Sequence, residues 1–216
     1  MSTAKVSPSI LSADFVNMER DVRALAEWGA DYVHCDVMDG VYVKNLTFGM
    51  PMIAAIKKIS PLPLDVHLMI TEPERYVEAF ADAGADIITF HPDASRDPSA
   101  ALDLIKNKGV KCGIVINPNV KLEDYIHLLG KCDVLLVMSV YAGLGGQKFI
   151  PETLETVRKG KAYIDKNRLP TRIEIDVGVG AGNAALCREA GVDIIVAGSA
   201  VYKAADPAAV IAALKG

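Results

Sequence analysis

The chain has 216 residues, which suits one sizeable α/β core and is short for two. Hydrophobic residues make up 51% and charged residues 23% of it, so the composition excludes a disordered or fibrous protein. With a net charge of −4, the chain lacks the excess of Lys and Arg that a dedicated nucleic-acid surface needs. We therefore expect a single domain over residues 1–216 with no nucleic-acid partner.

The cysteines are scattered along the chain without any C-x-x-C spacing; they are Cys35, Cys112, Cys132 and Cys187. This pattern argues against a zinc knuckle or a disulfide framework and favours a reducing compartment. The N-terminal residues lack the basic and apolar stretches of a signal peptide, and no apolar run approaches the length of a membrane span. We expect a cytoplasmic protein with no membrane partner.

Eight short apolar segments, each followed by an amphipathic segment, predict eight successive βα units. The predicted strands cover residues 6–11, 32–38, 64–69, 87–91, 112–117, 134–138, 172–176 and 194–197. Predicted helix N-caps are Asp14, Thr71, Asp97 and Asn119, and predicted first-turn prolines are Pro73, Pro98 and Pro151.

A short phrase, Gly-(Ala/Val)-Asp, recurs just before three of the predicted strands, at residues 29–31, 84–86 and 191–193. We interpret its glycine as a helix C-cap and its aspartate as part of a short connection. The phrase marks the βα unit and carries no chemistry by itself.

Eight βα units in roughly 210 residues predict a (β/α)8 TIM barrel near the lower size limit of that fold. A doubly wound open sheet is the competing architecture. The glycine-rich dinucleotide fingerprint of such sheets is absent, because residues 9–14 contain no glycine.

The second predicted strand carries a histidine and a carboxylate two residues apart. In a strand His34, Asp36 and Met38 point to the same face. Because an unpaired carboxylate is costly to bury, a metal ion or a tight ion pair is expected to compensate Asp36.

Polar residues also end the other predicted strands, where a barrel carries its active site. Two histidines and two aspartates among them suit one divalent metal ion, with Zn first and Fe, Mn or Co also compatible. The predicted ligands are His34, Asp36, His67 and Asp176. The alternative is that each of the four is a separate hydrogen-bonded member of the barrel interior.

Three methionines, Met38, Met69 and Met138, each end a predicted strand and form a predicted apolar cap over this site. Ordinary core packing is the alternative for them. Glycine-rich segments follow the last three strands, at residues 142–147, 177–182 and 197–200. Three such segments at one end of a barrel predict a phosphorylated ligand, because glycines let backbone N–H groups approach an anion.

The chain resembles the ribulose-phosphate 3-epimerase family over nearly its whole length. The segments that carry the resemblance are PSILSADF at 8–15, HCDVMDG at 34–40, NLTFG at 45–49, LDVHLM at 64–69, TFHP at 89–92, MSV at 138–140, GGQKFIP at 145–151 and VAGSA at 196–200.

The resemblance implies a single TIM-barrel catalytic domain that interconverts D-ribulose 5-phosphate and D-xylulose 5-phosphate in carbohydrate metabolism, in the pentose phosphate pathway. It implies that Asp36 and Asp176 are the acid/base pair, and that with His34 and His67 they hold a divalent metal. The implied substrate-binding residues are Ser9, His67, Gly143, Leu144, Gly145, Gly146, Val177, Gly178, Gly198 and Ser199. A homo-oligomer is also expected, with the number of copies left open.

The chain departs from the family pattern at three places. Tyr141 and Ala142 replace Asn-Pro in the loop after strand six, Val177 replaces a glycine after strand seven, and Lys44 replaces a proline. The first two lie where the sugar and its phosphate are expected, so an epimerase for a 2-ketohexose 6-phosphate such as allulose 6-phosphate stays open.

Two further alternatives remain from other classes. One is a phosphate-binding barrel without activity, which the intact acid/base and metal set argues against. The other is a decarboxylase, which would be expected to carry an Asp-x-Lys-x-x-Asp run that strand two lacks. His91 and His127 are not assigned to the site.

Overall fold

A computed structural model of the chain describes residues 3–143, 147–176 and 178–216. Its strands are β1 (Lys5–Pro8), β2 (Val33–Met38), β3 (Leu64–Met69), β4 (Ile87–Phe90), β5 (Lys111–Ile116), β6 (Val134–Met138), β7 (Arg172–Asp176) and β8 (Ile194–Ala197). Its α-helices are α1 (Met18–Glu27), α2 (Met50–Ile59), α3 (Val77–Asp82), α4 (Pro98–Asn107), α5 (Leu122–Tyr125), α6 (Thr153–Asn167), α7 (Ala184–Ala190), α8 (Ser199–Tyr202) and α9 (Pro207–Lys215).

The strands form one parallel sheet in the order β1-β8-β7-β6-β5-β4-β3-β2. Beyond β1, a parallel bridge between Ser9 and His34 joins the two ends of the sheet. At the opposite end, the backbone N–H of Asp31 donates to the carbonyl of Val6. These contacts confirm the TIM barrel, and the polar ends of all strands therefore meet at one mouth.

Alternation along each strand divides the core into two parts. The side chains that point outward, such as Val33, Cys35 and Val37 on β2, pack in the large apolar cluster shared with the helices. Inside the barrel, Tyr32, Ile87, Val134 and Ile194 form an apolar cluster at the start of the even-numbered strands. The polar inward-facing residues lie above this floor, toward the carboxyl ends.

The recurring Gly-(Ala/Val)-Asp phrase ends helices with its glycine and bonds to a neighbouring strand with its aspartate. Its glycines have left-handed φ at the helix ends, which confirms the predicted C-caps. Its aspartates each accept a hydrogen bond from the backbone N–H of the preceding strand: Asp31 from Val6, Asp86 from Leu64 and Asp193 from Ile173. Asp133 does the same for Cys112. The phrase therefore joins the strands in pairs at the base of the barrel.

The predicted strands differ from the observed ones mainly at the first strand. The prediction for residues 9–11 is wrong, because the Ser9 hydroxyl accepts from the N–H of Leu11 and begins a short 3-10 turn at Ile10–Ser12. The fourth strand ends at Phe90, one residue before its predicted end, and the fifth both begins and ends one residue before its prediction.

The predicted N-caps are confirmed in part. Asp97 caps α4 by accepting from the N–H of Ala100, whereas Asp14 caps a short turn before α1. The prediction for Thr71 is wrong, since its hydroxyl and N–H both donate to Asp39. Asn119 is also not a cap, because α5 follows Lys121.

The four cysteines are buried and unpaired. Across the described ranges, we find no helix with the length and apolar character to cross a membrane.

Candidate active site

The register between β2 and β3 sets the pattern of the site. His34 is level with Asp65, and Asp36 is level with His67. All four point into the barrel, so each strand presents one histidine and one carboxylate at adjacent levels. Asp176 ends β7 on the other side of the barrel and faces the same point.

The four predicted ligands converge in the structure. Their facing atoms, Nε2 of His34, Nδ1 of His67, Oδ1 of Asp36 and Oδ2 of Asp176, lie within 4.8 Å of one another. Asp36 Oδ1 is 3.4 Å from both histidine nitrogens. Asp176 Oδ2 is 3.9 Å from His34 and 3.6 Å from His67.

Two observations indicate that these atoms suit a metal ion. His34 Nε2, His67 Nδ1 and Asp176 Oδ2 are buried and have no hydrogen-bond partner among the described residues, an arrangement that is costly unless something joins them. A tetrahedral ion with bonds of about 2.0–2.1 Å also holds its ligand atoms roughly 3.3–3.4 Å apart, close to the observed separations. The group could therefore hold a metal ion.

The two carboxylates have opposite electrostatic environments. Burial raises the pKa of Asp36, but the neighbouring His34 and His67 outweigh it and bring this pKa well below its usual range. For Asp176, burial dominates and the charge of Asp36 adds to it, so its pKa is raised. One carboxyl group thus favours the ionised form while the other favours the protonated form.

Beneath this group lies a buried layer that the sequence analysis did not assign. Oδ2 of Asp65 is 2.7 Å from Nδ1 of His34 and accepts a hydrogen bond from the Ser7 hydroxyl. Glu174 lies 3.9 Å from the same His34 nitrogen, and burial together with the Asp65 charge raises the pKa of Glu174 well above its usual value. His34 is therefore held from behind by carboxyl groups.

His91 also belongs to the site, although the sequence analysis left it out. Its Nε2 lies 2.9 Å from Nε2 of His67, and both rings are fully buried. On the far side of His91, the amide Nδ2 of Asn117 lies 3.3 Å from Nδ1 and donates to the Tyr42 hydroxyl at 2.8 Å. The signal in the sequence was its position at the end of β4. His127 is exposed on the short 3-10 helix Ile126–Lys131.

A cavity of about 400 Å³ opens above the four converging residues. Asp36 and Asp176 line it, and the three predicted cap residues Met38, Met69 and Met138 line it as well. The methionines are almost fully buried, so the cavity has polar groups at its base and an apolar wall.

Ser9 reaches the cavity and donates a hydrogen bond to Oδ2 of Asp36, the oxygen that does not face the histidines. Thr47 donates to the backbone carbonyl of Asp36 and accepts from the N–H of Met38, which ties the NLTFG loop to β2. On the opposite rim, Ser139 N–H and hydroxyl both donate to the backbone carbonyl of Asp176.

The predicted substrate-binding glycines fall around one side of the cavity. Gly143, Gly178, Gly198 and Ser199 line it. His67 lies behind its base. The remaining predicted residues lie outside the described part of the chain; they are Leu144, Gly145, Gly146 and Val177.

Lys203 is a lining residue that the sequence analysis missed. It follows α8, on the side of the cavity where Gly180, Gly198 and Ser199 also lie. Among the described lining residues it is the only cation, and it forms no ion pair with any described residue. Only the folded chain reveals that this lysine faces the glycine loops.

The fold and the site define a (β/α)8-barrel protein with an acid/base and metal-compatible group at the carboxyl ends of its strands. Residues 5–202 match the model of the Ribulose-phosphate 3 epimerase family. The chain belongs to this family, which confirms the resemblance, and it is an isomerase.

Two curated relatives illustrate the similarity, and both are named ribulose-phosphate 3-epimerase. The protein of Mycobacterium bovis is 45% identical over 210 residues, covering 97% of this chain and 91% of the relative. That of Bacillus subtilis is 44% identical over 213 residues, covering 98% of each chain.

Solved structures agree on the fold. KGPDC from Streptococcus mutans matches with a TM-score of 0.73 at 13% identity, over 99% of this chain and 96% of that one. Tryptophan synthase from Mycobacterium tuberculosis matches with a TM-score of 0.68 at 18% identity, over 99% of this chain and 91% of that one. At these identities the likeness concerns the barrel alone.

Proposed function

We propose that this chain interconverts D-ribulose 5-phosphate and D-xylulose 5-phosphate by moving a proton at C3 through an enediolate. The observation that carries the proposal is the convergence of Asp36 and Asp176, from non-adjacent strands, at the base of one cavity. Membership of the family supports the choice of substrate.

Inversion at C3 needs one group to remove a proton from one face and another to return a proton to the opposite face. Asp36, with its lowered pKa, suits the base, and Asp176, with its raised pKa, suits the acid. The roles exchange in the reverse direction. Each positioned acid or base contributes roughly 10²–10⁴-fold in rate.

The proposed metal ligands are His34, Asp36, His67 and Asp176, through the atoms that face one another. Two imidazoles and two carboxylates favour Zn first, with Fe, Mn or Co as alternatives. A divalent ion bound there would act as a Lewis acid toward the developing oxygen charge of the enediolate. The chain's own part is to place both carboxylates beside C3 and to hold the histidines from behind.

Met38, Met69 and Met138 would cap the reacting carbons. Their thioether side chains cover the polar base with an apolar surface, which excludes water from the intermediate. A dry cap disfavours protonation at the wrong carbon.

The phosphate would lie at the side of the cavity formed by Gly178, Gly198 and Ser199, with Lys203 as its counter-charge. Glycines let backbone N–H groups approach an anion closely, and the ammonium group of Lys203, which pairs with no described residue, suits a phosphate dianion. Tyr141, which is 54% exposed, lies at the cavity rim and is the described position most able to affect the length of substrate that fits.

The direct test measures kcat/KM of the purified protein on D-ribulose 5-phosphate beside 2-ketohexose 6-phosphates, together with C3 proton exchange in deuterium oxide. We expect the pentulose phosphate to be preferred and C3 exchange to accompany turnover. A higher kcat/KM on a hexulose phosphate would show that this compound, and not the pentulose phosphate, is the substrate. Absence of C3 exchange with every sugar phosphate tested would refute the proposed reaction.

A second test addresses the metal. Protein purified without added metal is analysed for bound ions and then treated with a chelator. A site filled at 100 times the Kd stabilises the fold by about 2.7 kcal/mol, so chelation is expected to lower Tm by about 5–10 °C. Equal Tm and activity before and after complete metal removal would refute the metal requirement.

The buried, unpaired cysteines agree with the proposed cytoplasmic location. A homo-oligomer also stays a proposal, which sedimentation of the purified protein would test.

A further inference from the structure

The contact between His67 and His91 restricts which ring nitrogens of these two histidines can carry a proton. The two Nε2 atoms lie 2.9 Å apart, and the ring centroids are 5.1 Å apart at an interplanar angle of 34°. Both rings are fully buried. At this distance one proton fits between the nitrogens, so one ring donates and the other accepts.

The metal site proposed above decides which ring donates. His67 faces the carboxylates of Asp36 and Asp176 with Nδ1. A ligand nitrogen must be unprotonated, so a metal held through Nδ1 leaves the proton of His67 on Nε2. His91 then has to accept with Nε2, and its own proton has to be on Nδ1.

The group that faces Nδ1 of His91 is the amide of Asn117. As the structure shows it, Nδ2 of Asn117 points at His91 and also donates to the Tyr42 hydroxyl. This orientation matches the opposite proton arrangement, in which Nδ1 of His91 accepts. Oδ1 of Asn117 is meanwhile buried, with no partner in the described part of the chain.

A half-turn of this amide resolves the mismatch with His91 and gives Oδ1 hydrogen-bond donors, while Nδ2 moves to the position that Oδ1 leaves. It would place Oδ1 where Nδ2 is now, between Nδ1–H of His91 and the Tyr42 hydroxyl, each of which can donate to it. The Tyr42 hydroxyl now accepts from Asn117 and donates its proton to the carboxylate of Asp93 at 3.2–3.3 Å, so after the half-turn it would donate to Asn117 instead of Asp93.

We propose that His91 is a positioning residue that keeps the proton of His67 on Nε2 by accepting it, and that Oδ1 of Asn117 faces Nδ1–H of His91 in the metal-bound protein. The inference rests on the proposed metal site. It assigns to the chain His67–His91–Asn117–Tyr42 two hydrogen-bonding directions, of which only one leaves His67 able to bind a metal.

Nitrogen-15 NMR of the histidine rings tests the proton positions directly in the Zn²⁺-loaded protein. We expect His91 there to be the neutral Nδ1–H form. A loaded protein in which His91 carries its proton on Nε2 would overturn the proposal.

Metal affinity tests the positioning role. His91→Leu removes the acceptor for His67 Nε2–H, and outer groups of this kind typically affect affinity by 10–100-fold. We expect Zn²⁺ Kd to rise by about that factor, and His91→Gln, which keeps an acceptor oxygen, to recover much of it. The matched control is Thr89→Val, two residues earlier on β4, where a fully buried hydroxyl bonds to none of the described residues.

The outcomes separate this inference from the metal proposal. Unchanged Zn²⁺ affinity in His91→Leu, with wild-type protein binding Zn²⁺ normally, would overturn the positioning role and leave the metal site intact. Equal weakening in Thr89→Val would also overturn it, because the effect would then be one of packing. Failure of the wild-type protein to bind Zn²⁺, Mn²⁺ or Co²⁺ would overturn both.

Discussion

Oδ2 of Asp65 lies 2.7 Å from Nδ1 of His34, and this contact leaves Nε2 of the same ring facing Asp36 and Asp176. A carboxylate behind a histidine keeps the proton on the nitrogen it faces and makes the other nitrogen a better metal ligand. Asp65 therefore orients His34 from the layer beneath the site.

Replacing Asp65 tests this relationship. Asp65→Asn keeps the shape of the side chain but removes its charge, so we expect the Kd for Zn²⁺ to rise by roughly 10–100-fold. Chelator competition measures the Kd. Ser7→Ala is the control, because it removes only a hydrogen bond to Asp65 and is expected to have a smaller effect. An unchanged Kd in Asp65→Asn would contradict the orienting role.

The acid/base assignment predicts the behaviour of two conservative variants. Asp36→Asn and Asp176→Asn each remove a proton-transferring group, so C3 exchange in deuterium oxide should fall by at least about 100-fold. Asp103→Asn serves as the matched control, since Asp103 pairs with Lys131 on the outer surface. Near-normal exchange in either variant with metal bound would show that the carboxyl group is not a proton carrier.

The position of Lys203 predicts that its replacement affects KM and leaves kcat nearly unchanged. Lys203→Met removes the only described cation that lines the cavity, so KM for a sugar phosphate should rise about tenfold with kcat nearly unchanged. The effect should shrink as ionic strength increases. Lys121→Met, an exposed lysine before α5, is the control. A fall in kcat with constant KM would place Lys203 in a different role.

The backbone conformation at Gly178, beside the proposed phosphate site, predicts that this position requires a glycine. Its φ is +73°, and a Cβ there would lie 2.9 Å from the backbone nitrogen of Phe149. Gly178→Ala should therefore cost about 1–3 kcal/mol, seen as a Tm lower by about 2–10 °C.

The control for this change lies in the same loop. Gly182 has no atom within 4 Å of the position of an added Cβ and no left-handed φ, so Gly182→Ala should leave Tm nearly unchanged. Equal Tm values for the two variants would mean that the backbone at Gly178 adapts to a side chain.

Much of the barrel follows from local rules. The period of two in the strands and the glycines at the helix ends are properties of neighbouring residues, so seven of the predicted strands match within one residue at each end without a fold in hand. The first strand failed because a side-chain hydrogen bond of Ser9 competes with strand pairing, and apolar patterning carries no sign of that bond.

The four candidate metal ligands were also accessible from the sequence. His34, Asp36, His67 and Asp176 stand at the ends of predicted strands with the same parity, and any parallel barrel brings such ends together. Local patterns in the sequence therefore specify the barrel, its polar end and the residue types available there.

The roles of the individual residues follow only from the tertiary structure. The β2–β3 register places Asp65 level with His34, so this aspartate lies behind the ring rather than beside the cavity. Closure of the barrel brings His91 against His67 and turns Lys203 toward the glycine loops. The alternation of side chains along a strand specifies which residues point into the barrel. Strand stagger then sets how deep in the barrel each residue lies, and ring orientation sets which histidine nitrogen faces which carboxylate oxygen. Those depend on contacts between residues distant in the chain, which local patterning does not encode.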